Sequence, residues 1–251
     1  MRPRLSSAAL RIDVAPGYES MSRRAEAWIV EELKNKPSLL LCASAGGTPT
    51  LLYELLAARA RHEPRLFAQM GILQIDEWGG LPKAHPATCD ADLREKLVEP
   101  LGIDARRYKA FATDAADPEK ECHRISNWLS ANGPIDICIL GLGKNGHIAM
   151  NEPGEALMPR THVARLTPSS LNHPMLQQLP RKPRYGLTLG MADILASRQI
   201  LLLVNGTHKR EAMKRLLRPQ ITTAFPASFL RLHSQAIVLC DRLAMPVRKS
   251  K

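Results

Sequence analysis

The sequence predicts an α/β fold in three layers: a mostly parallel, Rossmann-like sheet with helices on both faces and a flap over the cleft. Three observations carry this expectation. Short apolar runs recur along the chain, amphipathic stretches fall between most of them, and glycine-rich turns follow several of the runs. Strands alternating with helices pair in parallel and need cover on both faces, and ligands then gather at the carboxyl ends of the strands.

Element by element, Tyr18 to Asn35 shows the three- and four-residue apolar spacing of an amphipathic helix. Ser38 to Ala43 reads as a buried strand, because a strand covered on both faces is apolar at every position rather than at alternate ones. Pro49 to Arg61 returns to the helical period, and Gly71 to Ile75 is the next strand. Helices over Asp92 to Leu101 and Pro118 to Leu129 lead to a strand at Ile135 to Leu140. Further strands are expected at Tyr185 to Leu189, Gln199 to Val204 and Ala236 to Cys240, with a helix over Thr207 to Leu217. Between Arg160 and Pro183 the prolines at 168, 174, 180 and 183 break any long helix. That composition fits a flap over roughly residues 155–183, or an ordinary irregular connection.

At 251 residues and 45% apolar content the chain can bury a full core, and neither a composition break nor an internal repeat divides it, so a single domain over 1–251 is expected. The basic ends Met1-Arg2-Pro3-Arg4 and Val247 to Lys251 read as solvated tails. The formal charge of +11 raises the question of nucleic acid, yet the cations are dispersed and aromatics make up only 4%, which leaves no stacking platform. No nucleic-acid partner is expected; small anionic substrates such as sugar phosphates need only a few cations converging in one cleft. Cys42, Cys89, Cys122, Cys138 and Cys240 form an odd set without a C-x-x-C pair, which argues against a disulfide frame or a zinc knuckle. With no apolar leader and no run near the ~20 residues of a membrane span, a cytoplasmic protein is expected.

The chemistry-bearing residues follow the strands. Ser44-Ala45-Gly46-Gly47-Thr48-Pro49 joins the strand at 38–43 to a helix, so free amides at the helix start would suit a phosphate. Thr48 as N-cap with Pro49 at the first helical position explains the same residues structurally. Asp76 and Glu77 end the second run, and the alternation of a strand sends them to different faces, so only one can serve a given site. An acid there is often a turn-former, but a carboxylate base acting next to a carbonyl would sit in the same place. Gly141-Leu142-Gly143-Lys144-Asn145-Gly146-His147 follows the strand at 135–140 and is closed by Asn151-Glu152-Pro153-Gly154. Its three glycines match the dinucleotide fingerprint, but Pro153 falls seven residues after Gly146 and no acid occupies Val163 to Thr167, so the required long helix and ribose acid are missing. His147 beside Glu152 instead suggests an acid/base histidine oriented by a carboxylate. His62, His85, His123 and His233 have no such setting. Lys209, early in a helix after a strand, is either a solvated lysine or, with an anion at Gly46-Gly47, a phosphate contact. No set of side chains shows metal-ligand spacing, so no metal is expected.

Taken together and in this order, the blocks resemble the glucosamine-6-phosphate deaminase/isomerase family, of the same superfamily as 6-phosphogluconolactonase. The carrying residues are Ala45 to Pro49, Asp76-Glu77-Trp78, Gly141 to His147, Asn151-Glu152-Pro153, Leu187 to Gly190 and Gly206-Thr207-His208-Lys209, within a match from about Ser38 to Ala244. The resemblance implies that Asp76 moves the proton between C2 and C1, that His147, oriented by Glu152, opens the pyranose ring, and that ammonia then leaves from C2. It implies that the loop of Ala45, Gly46, Gly47 and Thr48, with Lys209, holds the phosphate, and that no cofactor is needed. Lactonases of the superfamily have Asp-Glu-Arg where this chain has Asp76-Glu77-Trp78, and Asn151-Glu152-Pro153 favours the deaminases. Asn145 and Trp78 stand where glucosamine-6-phosphate deaminases carry Asp and Tyr, which is similar to the galactosamine-6-phosphate branch. The family's phosphate-binding arginine aligns near Leu176, with His173 or a nearby basic residue as the stand-in, and the basic residues of allosteric members align with His162 and Ala164, so no such activation is expected. A sugar-phosphate lactonase and a non-catalytic sugar-phosphate sensor are the alternatives. The epimer preference, and the choice between monomer and small homo-oligomer, stay open at this level.

Overall fold

Five of the six expected apolar runs enter one parallel sheet, and the sixth does not. A computed structural model describes residues 10–247. The basic end at Met1 to Arg4 and all of the other except Val247 lie outside them, and Val247 is exposed. In chain order the elements are β1 (Arg11–Ala15), α1 (Tyr18–Asn35), β2 (Leu40–Ala43), α2 (Thr50–His62), β3 (Gly71–Gln74), β4 (Asp76–Gly79), α3 (Cys89–Leu93), β5 (Tyr108–Lys109), α4 (Pro118–Asn132) and β6 (Ile137–Gly141). They continue with β7 (His162–Ala164), α5 (Pro168–Leu171), β8 (Tyr185–Thr188), α6 (Met191–Leu195), β9 (Gln199–Val204), α7 (Arg210–Leu216) and β10 (Ala236–Asp241).

The main sheet has seven strands in the order β1-β10-β9-β6-β2-β3-β5, each neighbouring pair parallel. Its inner strands are apolar along their middles, with polar residues only at ends such as Gln74, Gln199 and Asp241, because they feed two cores. Leu41, Ala43, Ile72, Ile139, Leu201 and Leu239 meet α1 and α2 through Met21, Ile29, Leu52 and Leu56. Leu40, Cys42, Leu73, Cys138, Leu140 and Leu202 face the opposite way, onto Ile125 of α4, Ile194 of α6 and Met213 of α7. The three-layer α/β architecture is therefore the one expected from the sequence.

The run at Tyr185 to Leu189 goes elsewhere. As β8 it is the middle strand of a three-stranded antiparallel sheet, β4-β8-β7, that packs Leu187 and Leu189 onto the second core. Periodicity carries no sign of this sheet, because its outer strands β4 and β7 have only four and three residues. β1 and β5, at the edges of the main sheet, are likewise too short or too polar to stand out. The expected helix at Asp92 to Leu101 is instead α3 running into a π-helical stretch, Arg94–Val98, and Thr207–Lys209 is a 3-10 turn ahead of α7. The connection expected to be irregular holds β7, α5 and a 3-10 turn, Pro174–Leu176.

Candidate active site

The carboxyl ends of β2, β6 and β9 open onto one cleft with about 820 Å³ of non-protein space, its mouth included. Ala45 to Thr48, Asp76, His147 and Lys209 all line it. Asn145 and Glu152 do not; they stand behind His147.

The loop after β2 binds its own chain more than expected. Thr48 does not cap α2: its hydroxyl donates to Asn205 Oδ1 (3.0 Å), while Thr50 Oγ1 donates back to Gly46 O (3.0 Å). The Gly46 amide is not free either, since it donates to Asp92 Oδ2 (2.9 Å). Gly46 holds φ +107°, a left-handed conformation that suits glycine. The N–H groups of Gly47 and Thr48 find no acceptor among the described residues, and they sit at the start of a 13-residue helix, where an anion is favoured. Lys209 reaches the same cleft and donates to Leu142 O (2.5 Å). Burial, and the neighbouring Lys144, lower its ammonium to about 8.

Asp76 and Glu77 separate as strand alternation requires. Glu77 is fully buried and accepts from Gln74 Nε2 (2.8 Å) and from the amides of Trp78 (2.7 Å), Cys89 (2.8 Å) and Asp90 (2.7 Å), tying β4 to the start of α3. Asp76 points into the cleft and accepts no side-chain hydrogen bond from the described residues. It is a group at the floor of a concavity, partly open to the cleft and otherwise enclosed by protein. Burial, with the Glu77 charge beside it, raises its carboxyl to about 7.

The glycines after β6 serve a histidine rather than a nucleotide. No helix follows Gly146. A Cβ on Gly143 would lie 2.4 Å from the His147 ring, so the imidazole rests directly on that backbone. Gly146 holds φ +97°, and a Cβ there would meet the Phe225 ring at 2.0 Å. His147 Nδ1 lies 3.4 Å from Glu152 Oε2, near enough for attraction but without the geometry of a formed hydrogen bond. Asn145 joins the two, donating from Nδ2 to Glu152 Oε2 (2.9 Å) and accepting the His147 amide on Oδ1 (3.1 Å). Ser170 donates to the other Glu152 oxygen. Burial works to raise the Glu152 carboxyl, but His147, Ser170 and Asn145 outweigh it and bring the group down to about 2.

Ser170 and His173 are site residues that periodicity could not locate, because a proline-broken segment has no regular face to read. Both come from the connection between β7 and β8 and line the cleft. Leu176, the residue aligned with an arginine, is fully buried against Trp78 and Met150 and offers no charge. Trp78 packs its ring 5.7 Å from that of His173. The four histidines expected to be structural sit outside the cleft; His85 and His233, for example, bond backbone groups at Ala87 and Ser197. Among the described residues no group of three or more His, Cys, Asp or Glu could hold a metal ion, and no helix is long and apolar enough to cross a membrane.

An elevated carboxylate, a histidine beside an acid, and a loop of free amides with Lys209 facing the same cleft, all at the carboxyl edge of a parallel sheet, define an α/β enzyme that moves protons on an anionic substrate. The model of the glucosamine-6-phosphate isomerases/6-phosphogluconolactonase family matches residues 16–239, and the chain belongs to that family. It is 39% identical to AgaI of Escherichia coli (strain K12) over 224 residues, covering 89% of each chain. It is 33% identical to the glucosamine-6-phosphate deaminase of Shouchella clausii (strain KSM-K16) over 93% of this chain and 96% of that one. The solved structure of a monomeric glucosamine-6-phosphate deaminase, of the NagB superfamily, superposes with a TM-score of 0.89 at 33% identity, covering 94% of this chain and 98% of that chain.

Proposed function

We propose that the protein converts a hexosamine 6-phosphate and water to a ketohexose 6-phosphate and ammonia, with Asp76 as the proton-transfer base. The observation that carries this is the Asp76 carboxyl, unpaired at the floor of the cleft and raised to about 7, so that it can both take and return a proton near neutrality. In this mechanism His147 removes the O1 proton and protonates the ring oxygen, giving the open aldehyde. Glu152 stays anionic and steadies the imidazolium, while Asn145 and Ser170 hold Glu152 in place. Asp76 then takes the proton from C2 while the substrate's own ammonium gives a proton to O1, leaving an enolamine, and Asp76 delivers the C2 proton to C1. Water adds to the resulting C2 iminium, and the carbinolamine expels ammonia to leave the ketone. The amides of Gly47 and Thr48 and the Lys209 ammonium hold the phosphate.

Relatives named as deaminases match at 33% identity over nearly their whole length, which supports this reaction over the lactonase alternative. The neighbouring structure of a monomeric deaminase supports a monomer, and five free, buried cysteines support a reducing, cytoplasmic setting. Purified protein is given glucosamine 6-phosphate or galactosamine 6-phosphate in separate reactions. Ammonia release from either establishes the activity, and the faster substrate names the epimer. Acid release from a 6-phosphogluconolactone with no ammonia from either hexosamine would replace this reading with the lactonase.

A further inference from the structure

The loop that carries His147 and Glu152 has neither helix nor strand of its own, so other parts of the chain must hold its shape. The segment Thr222 to Ser228 grips it at both ends. Ala227 N–H donates to Gly146 O (2.9 Å), and Gly154 N–H donates to Thr223 O (3.3 Å). Phe225 is buried and lays its ring on Gly146. The segment is also tied to itself: Phe225 N–H returns to Thr222 O (3.0 Å), and the Ser228 hydroxyl accepts from Thr222 N–H (2.9 Å).

Arg215, near the end of α7, joins this brace to the loop. Its Nη1 donates to Asn145 O (3.3 Å), its Nη2 donates to Ala224 O (3.0 Å), and its Cζ stands 4.5 Å from the centre of the Phe225 ring. Both acceptors are backbone carbonyls, one on the loop and one on the brace. A planar fork with fixed donor directions meets two carbonyls and a ring face at once, which an ammonium does less well. The guanidinium is exposed and does not line the cleft, so it neither fills the core nor meets the substrate. What it fixes is Asn145, whose side chain bridges Glu152 Oε2 and the His147 amide.

We propose that Arg215 is a positioning residue for the acid/base pair: from the surface behind the cleft it pins the backbone of Asn145 to the Thr222–Ser228 brace, and through Asn145 it sets His147 against Glu152. Its kinetic consequences rest on the deaminase function proposed above.

Steady-state kinetics of the full chain, with whichever hexosamine 6-phosphate the native protein turns over, tests it. Arg215→Ala should lower kcat roughly ten-fold, while KM and the Kd for inorganic phosphate stay within about two-fold, because Gly47, Thr48 and Lys209 are untouched. Arg215→Lys keeps a cation over Phe225 and one donor, and its kcat should fall only about three-fold. Nitrogen NMR of the native protein should show separate Nη1 and Nη2 signals for Arg215, the signature of a guanidinium held from rotating. Unchanged kcat in folded Arg215→Ala protein, a loss of phosphate binding as large as the loss of kcat, or averaged Nη signals overturns the proposal; the NMR result decides it even where the substitution prevents folding. Failure of the deaminase reading has a different signature: the native protein releases no ammonia. Arg215 is then judged by its Nη signals and by the His147 ring resonances, which Arg215→Ala should shift; unshifted resonances overturn the role.

Discussion

Asp76 sits where its usefulness and its stability cost have the same origin. Burial favours its protonated form, so folding is helped fully below the unfolded pKa near 4, and that help is lost as pH rises through about 7. Asp76→Asn should therefore lower turnover by roughly 10²- to 10⁴-fold and yet raise stability above pH 7 by about 1–3 kcal/mol. Melting curves at pH 4 and pH 8 check it, since the gain should vanish at the lower pH. Glu152 has the opposite sign: its carboxyl is lowered to about 2, so its contribution is present above about pH 4.5 and is lost only as pH falls toward 2. It stays charged wherever the enzyme works. The pH profile should then be set by two other groups. Asp76 must be ionised and Lys209 protonated, so kcat/KM should climb through about pH 7 and fall above about 8. Lys209→Arg keeps its charge and should remove the alkaline fall; a persisting drop near pH 8 would assign that limb to another group. His147 and Glu152 stood out in the sequence beside the glycine turn, whereas Asp76 and Lys209, open there to a turn-former and a solvated helix lysine, took their roles only from the resemblance. Ser170 was legible in neither way, since its bond to Glu152 closes across an irregular segment.

Among elements, the loop after β6 shows how a motif match can mislead. The spacing of Gly141, Gly143 and Gly146 fits a nucleotide fold, but the structure separates the three by what a methyl group would meet. At Gly141 nothing lies within 4 Å, at Gly143 the His147 ring is in the way, and Gly146 adds a left-handed φ to its contact with Phe225. Gly141→Ala should leave stability within about 0.5 kcal/mol. Gly146→Ala should cost roughly 2–4 kcal/mol, and Gly143→Ala should lose activity well beyond its loss of stability, because it displaces the imidazole. Thermal melts and turnover of the three proteins check the order, and equal effects would contradict it. The long amphipathic helices and doubly buried strands were readable from periodicity alone. The small antiparallel sheet was not, because strands of three or four residues carry too few alternations to be told from turns.

For the whole molecule, the formal charge of +11 acts on encounter rather than on folding. Substrate carrying a phosphate dianion should be drawn toward the cleft by this field, so kcat/KM should fall several-fold between about 0.05 and 0.5 M salt while kcat holds steady. A salt-independent kcat/KM would show that capture depends only on the loop. The chain also changes sheets at a single residue: β3 ends at Gln74, Ile75 bonds both Ala43 and Leu189, and Asp76 opens β4. His147, Lys209 and the glycine loop all follow strands of the main sheet, whereas Asp76, the proposed base, rides on the small one. The cleft is thus a seam between two bodies of unequal size, and loosening the smaller body first would silence the chemistry while the phosphate grip persisted. In graded denaturant such a protein should pass through a stage at which it still captures its substrate and no longer transforms it.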